Sequence, residues 1–326
     1  LDDFSSGIWS NLEQVRSEIE LITGDLNDPR TVRAAVDGVD VVFHLACAAA
    51  ETGTTTDALA IHHSSATGTL HLLEAARDAQ VGRVVYASEG AVYRDDNDQP
   101  RVESDATLPR SVYVAAKLAA EHYCLTFSQT HGLETVRLRF FPVFGPRQPL
   151  GEPHAVTVAR LLDRMKRGLG PMIPGDGTQK RDFTFVEDAV QANLLAAKAP
   201  RISGKVFNIA SGQVVSLLDL ADLLNNILGV SFAPVRIAPM AAEPFHLRAN
   251  IERAETHLGF CPCTVLARDL RRCLGESETP LPARSRVEAA AIPPAPQNCR
   301  PDRPMPSIVN PPHRRPDRTQ RHFSGF

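Results

Sequence analysis

Three short apolar runs separated by helix-like chain restrict the fold of this protein more than any other feature. They are Asp40-Val-Val-Phe-His-Leu-Ala46, Arg83-Val-Val-Tyr-Ala-Ser88 and Glu134-Thr-Val-Arg-Leu-Arg-Phe-Phe141. The first two are continuous instead of alternating, the mark of strands buried on both faces. Between them the spacing predicts helices over 67–80, where Gly82 stops the chain, and over 111–123. A further helix is predicted over 28–36, with Asp28 as N-cap and Pro29 in the first turn. Strands alternating with helices imply a parallel sheet with right-handed crossovers and helices on both faces, a doubly wound α/β fold. Ligands of such sheets bind outside the carboxyl ends of the strands, where Asp25, Ala46, Ser88 and Phe141 fall.

Residues 1–7 read as the end of a strand entering a loop, and 20–25 as a short strand. From Gly145 the texture changes. An amphipathic helix is predicted over 156–168, a helix through Ala197, a strand over 205–210 and a helix over 217–228, with Gly and Pro between them. We therefore expect a Rossmann-like domain over 1–150, to which 182–212 return. A smaller substrate domain is expected over 151–181 and 213–275. Beyond it lies a disordered Pro/Arg-rich tail over 276–326 with few large apolar residues.

The chain of 326 residues is 43% hydrophobic with formal net charge -3, enough to bury an ample core. That charge balance argues against nucleic acid as a partner. No apolar run is long enough for a membrane span. Six scattered cysteines, with Cys261 and Cys263 read as free thiols, form no paired Cys-x-x-Cys units, so no metal is expected and a reducing cytoplasm suits them.

The chemistry concentrates in Ser111-Val-Tyr113-Val-Ala-Ala-Lys117, inside an Ala-rich helix free of Gly and Pro. Tyr113 and Lys117 are four apart and so share one helix face. A tyrosine with a pKa of about 10 is a poor base at neutral pH. A neighbouring ammonium favours the phenolate and brings it toward working range. Tyr-x-x-x-Lys occurs by chance in many helices, so its meaning depends on the surrounding motifs.

Those motifs are Val42-Phe-His-Leu-Ala46, Val84-Val-Tyr-Ala-Ser88-Glu-Gly-Ala-Val-Tyr93, Arg139-Phe-Phe-Pro-Val-Phe-Gly-Pro-Arg147-Gln148 and Gly175-Asp-Gly-Thr-Gln-Lys-Arg181-Asp182-Phe-Thr-Phe-Val-Glu-Asp188. In this order the chain resembles, over roughly 1–275, the extended short-chain dehydrogenase/reductases. It is nearest the NAD-dependent epimerase/dehydratase group of UDP-glucose 4-epimerase type. The resemblance implies an isomerase acting on a nucleotide sugar through a transient 4-keto sugar, with NAD as recycled cofactor and a homodimer built on the helices after Thr67 and Ser111. Tyr113 would be the acid/base, Lys117 would hold the nicotinamide ribose, and Ser88 or Glu89 would stand at the hydroxyl position beside them. Asp2, followed by Asp3, would bind the adenosine ribose. Asp25 and Leu26 would contact adenine. Leu45, Ala46 and Ala48 would lie under the pyrophosphate and nicotinamide ribose, with Phe141 beside the nicotinamide. Arg181 and Arg248 would clamp the nucleotide diphosphate.

The chain departs from the family pattern at several points. Counting back from Tyr93, the family's catalytic Ser or Thr corresponds to Glu89, with Ser88 one residue early. Pro142 and Ser65 stand where the family has Asn. The Gly-rich turn that cradles pyrophosphate is expected ahead of Leu1, and with it the first strand and helix, so the chain as it begins is expected to hold NAD weakly. These departures keep two alternatives open: a degenerate member that binds nucleotide sugar or dinucleotide without turnover, or an inactive truncated product.

Overall fold

The computed structural model describes residues 1–46, 57–94, 97–148, 157–239 and 246–275. Ala48, Cys47 and the tail lie outside these described residues. Asp28 caps α1 (Pro29–Val36) as expected, accepting the Arg30 N–H at 3.0 Å. β1 (Val41–His44) follows; α2 (Ala58–His62) then runs through a π-turn into α3 (Gly68–Asp78). β2 (Arg83–Glu89), α4 (Val112–Thr130) and β3 (Glu134–Phe140) come next. The remainder is shorter pieces: β4 (Val143–Phe144), α5 (Thr157–Lys166), β5 (Met172–Pro174), β6 (Lys180–Asp182) and β7 (Thr184–Phe185). After them come α6 (Val186–Lys198), β8 (Lys205–Ile209), β9 (Val214–Ser216), α7 (Leu217–Leu228), β10 (Val235–Ile237), α8 (Glu252–Leu258) and α9 (Leu266–Cys273).

The main sheet is parallel with strand order β1-β2-β3-β8. One face is covered by α1, α3 and α4 through a core that includes Val32, Leu73, Val84, Tyr86 and Cys124. The other face is covered by α6 and α8 through Val85, Leu138, Ala192, Phe207 and Leu258. This is the doubly wound arrangement the alternating pattern predicts. A second core joins α5, α7 and α9 around Phe144, Leu162, Ile173 and Leu224. There the Ser216–Asp219 capping box starts α7 and Gly229, at φ 66°, ends it.

Four expectations change. β1 is not buried on both faces: Phe43 is 39% exposed, and among the described residues β1 pairs only with β2. The strand end expected within 1–7 and the strand expected at 20–25 reduce to one parallel bridge, Asp2 to Thr23, held by two backbone hydrogen bonds. The segment through α8 and Phe260 packs on the main sheet and not with the second core, since Ala254, Leu258 and Phe260 bury their apolar atoms against Phe207. Cys261 is disulfide-bonded; Cys124, Cys263 and Cys273 are free. Among the described residues, no helix is long and apolar enough to cross a membrane.

Candidate active site

The Ser111 side chain caps α4, accepting the Val114 N–H at 3.2 Å. This sets Tyr113 in the first turn and Lys117 one turn on. Tyr113 is half-buried and packs between two small cores, one holding Ile61, Ala66 and Ala116, the other Tyr93, Phe141 and Leu247. Lys117 is 4% exposed and is anchored to the end of β2. Its Nζ donates to the Ala87 carbonyl at 2.8 Å and lies 5.2 Å from the centre of the Tyr86 ring. The Tyr86 hydroxyl donates back to the Lys117 carbonyl at 3.2 Å.

His44 fills the space on the β1 side of Lys117. The Thr69 hydroxyl donates to the Ser65 carbonyl, so at 2.8 Å it accepts the His44 Nε2 proton, and the ring is the neutral Nε2–H tautomer. Burial, and secondarily the Lys117 charge, push the His44 pKa down to about 3. An unfolded histidine titrates near 6.5, so below that pH the unfolded chain takes up a proton that the native chain refuses. The stability His44 contributes is therefore complete above pH 6.5 and is lost as pH falls from there toward 3, by about 2 kcal/mol at pH 5. Replacing His44 with Gln, which keeps a donor for Thr69, should remove this part of the acid sensitivity. Urea unfolding of parent and variant at pH 7 and pH 5 reads it, and parallel losses in the two proteins would refute it. Burial pushes Asp182 the other way, up to about 7, so its contribution is lost as pH rises; the parent–variant difference cancels it.

The structure redirects Ser88. Its hydroxyl donates to Glu121, a fully buried carboxylate on α4 that also receives Arg139 Nε at 2.8 Å and Arg139 Nη2 at 2.7 Å. The Arg139 guanidinium lies 4.7 Å from the centre of the Tyr93 ring, and the Tyr93 hydroxyl donates to Asn208 at 2.6 Å. Ser88 is thus a member of a buried structural network, its proton committed on the α4 face of the sheet. Glu89, the last residue of β2, is half-buried.

The Phe141 ring is fully buried beneath Gly90, where an added Cβ would come within 3.0 Å of it. Glu121, Arg139 and His44 were not singled out from the sequence. The available signal was a glutamate four residues after Lys117 in an otherwise apolar helix, since a buried charge demands a partner.

At the amino-terminal side, the Asp2 carboxylate is exposed and accepts the Phe4 N–H at 2.8 Å, and Asp3 accepts from Ser5. Asp25 accepts the Asn27 N–H at 2.8 Å. The half-buried Leu26 meets α3 at Gly68, where a Cβ would come within 2.9 Å of it. Leu45 and Ala46 are exposed just beyond β1.

The two arginines are not brought together. Arg181 pairs with Leu247 in a parallel bridge, so these two side chains share a face, and Leu247 packs in the small core beside Tyr113. Lys180 and Arg248, each one residue away, face the other side, where both meet Asp98. Arg181 is 4% exposed with Nη1 donating to the Lys180 carbonyl at 3.1 Å.

The model of the NAD dependent epimerase/dehydratase family matches residues 5–210. A UDP-glucose 4-epimerase of Mycolicibacterium smegmatis is 31% identical over 277 residues, covering 83% of this chain and 88% of that protein. The crystal structure of a Thermotoga maritima UDP-glucose 4-epimerase with UDP-glucose superposes with a TM-score of 0.78 at 29% identity, over 84% of this chain and 88% of the other. A Bacillus cereus UDP-glucuronic acid 4-epimerase in complex with UDP-glucuronic acid and NAD gives 0.75 at 28% identity, over 81% and 83%. Fold, motif order and family match agree: the chain belongs to the NAD dependent epimerase/dehydratase family.

Proposed function

We propose that the protein is a UDP-sugar 4-epimerase. The observation that carries this reading is Tyr113 one turn from Lys117, with the ammonium anchored at the carboxyl end of β2. The residues present fit NAD at both ends. An ammonium has three donors, of which Ala87 takes one, leaving Lys117 able to hold ribose hydroxyls. The exposed Asp2 carboxylate suits the other ribose and disfavours a 2′-phosphate by charge. Asp3, Asp25 and Leu26 would complete the adenosine end, and Leu45, Ala46 and Ala48 would lie beneath the rest. When bound, NAD supplies a reversible hydride acceptor. Tyr113 would take the proton from the sugar 4-hydroxyl and would return it to the same oxygen once the 4-keto sugar has presented its other face to the cofactor. Lys117 favours the phenolate that this requires. Arg181, on the Tyr113 side of β6, would pair with the diphosphate.

In this reading the NAD half is 1–150 with 182–212, and the substrate half is 151–181 with 213–275, less the segment around α8 that packs on the main sheet. The protein would act in the cytoplasm, a setting that the free Cys124, Cys263 and Cys273 favour and the disulfide at Cys261 opposes. It would act as a homodimer through α3 and α4; the exposed Val112 on α4 and Leu59 on α2 support that surface.

The test is conversion of UDP-glucose, UDP-N-acetylglucosamine and UDP-glucuronate to their 4-epimers by the full-length protein with NAD, run beside Glu89→Ser. Interconversion of one pair is expected. Glu89→Ser should be faster and should work at lower pH, because a carboxylate at that position favours neutral tyrosine. Conversion of none of the three would refute the reading. A slower Glu89→Ser at every pH would make Glu89 itself an acid/base.

A further inference from the structure

The segment that leads from β2 to the Tyr113 helix is fastened to the second half of the molecule at one charged knot. Asp98 Oδ2 lies 2.8 Å from Lys180 Nζ, and Asp98 Oδ1 lies 3.1 Å from Arg248 Nη1. Arg248 Nη1 also donates to the main-chain carbonyl of Asp98. His246 Nδ1 is 3.6 Å from Oδ1 and accepts the Lys180 N–H at 3.2 Å. Partial burial alone would raise the Asp98 pKa. The hydrogen bonds from Lys180 and Arg248 outweigh it and hold the carboxyl below its usual range.

Backbone pairing continues from this knot in both directions. The Arg101 N–H donates to the Arg248 carbonyl at 2.8 Å, and the Asn250 N–H to the Arg101 carbonyl at 2.9 Å. One residue back, the Leu247 N–H donates to Lys180 and the Leu247 carbonyl receives the Asp182 N–H, closing the pairing on either side of Arg181. The strap therefore ties three things in series: residues 97–101, the 246–250 segment, and the strand that carries Arg181, whose bridge partner Leu247 packs beside Tyr113. Its far end is Ser111, the cap of the Tyr113 helix.

We propose that Asp98 is a positioning residue: its charged knot closes the 97–101 strap on 246–250 and holds Arg181 at a fixed reach from Tyr113, matched to a sugar joined through a diphosphate. Asp98 touches no reacting atom in this scheme. It acts through β6, so it governs how well substrate is held and not how fast the held substrate reacts. The substrate part of the inference rests on the UDP-sugar reading above. The strap itself does not.

The experiment compares Asp98→Asn and Asp98→Glu with the parent in the full-length protein. Two quantities are read: steady-state constants for the UDP-sugar that is turned over, and amide exchange at Arg101 and Asn250. For Asp98→Asn, KM should rise about threefold to tenfold with kcat within about twofold, the size expected of a partly exposed ion-pair cluster that contributes binding only. Exchange at both amides should quicken by a similar factor. Asp98→Glu should restore both, which a general packing defect would not allow. Unchanged exchange at Arg101 and Asn250 overturns the strap. Faster exchange with an unchanged KM, or with kcat falling alongside, overturns the positioning role. If the parent turns over no UDP-sugar, the functional reading fails instead. Exchange then decides the strap, and calorimetry with UDP as probe decides the positioning role, with unchanged UDP affinity in Asp98→Asn counting against it.

Discussion

Tyr113→Phe lowers kcat for UDP-sugar epimerisation by about 10²–10⁴-fold, the range for loss of one positioned general acid/base. The change removes one oxygen and leaves the ring, which packs between the Ile61/Ala66 and Phe141/Leu247 contacts. Urea unfolding of parent and variant separates the activity loss from any loss of stability. The companion change, Lys117→Met, should behave differently. It removes the bond to Ala87 and the charge beside Tyr86, so it should weaken NAD binding as well as turnover. Single-turnover assays with NAD titrated to saturation separate the two effects. A Tyr113→Phe protein with parental turnover would exclude Tyr113 from the chemistry, whatever the family likeness.

The parts of the site that were legible in the sequence are those written by local spacing. Tyr113 and Lys117 share a face because they are four apart, and Ser111 caps because it precedes an apolar helix run. The parallel sheet was legible because Val84, Val85 and their neighbours form an unbroken apolar run. Legibility stopped wherever the outcome depended on pairing between distant segments. The face that Arg248 presents is set by the Arg181–Leu247 bridge, and no local pattern encodes that register. The exposure of Phe43 depends on what packs over that face of β1, not on its own run. Ser88 looked catalytic one residue from the family position; strand alternation turns it toward Glu121 instead. Glu121 and Arg139 were passed over because charged residues are seldom buried, and only their partnership explains their burial.

That partnership carries the second large effect. The Arg139 and Glu121 side chains are 6% and 1% exposed and meet through two hydrogen bonds of 2.8 and 2.7 Å. Both ions lose most of their hydration on folding, and each compensates the other. Arg139→Met leaves the Glu121 carboxylate buried with Ser88 as its remaining polar partner in this network. Removing one member of such a pair costs about 3–5 kcal/mol, whereas replacing both by apolar residues of similar volume is often close to neutral. With a typical domain stability of about 5–15 kcal/mol, the single variant should be marginal at room temperature. Glu121→Leu combined with Arg139→Met should recover most of the loss. The urea midpoints of the parent, the two single variants and the double variant form a cycle whose coupling term isolates the pair. If the two single losses simply add in the double variant, the charges are not interacting in the native protein, and the network from Ser88 to Asn208 has no energetic content. If the double variant recovers stability and also keeps UDP-sugar turnover, the network holds the strand end of the site in place without taking part in the reaction, which is what the commitment of the Ser88 proton to Glu121 requires.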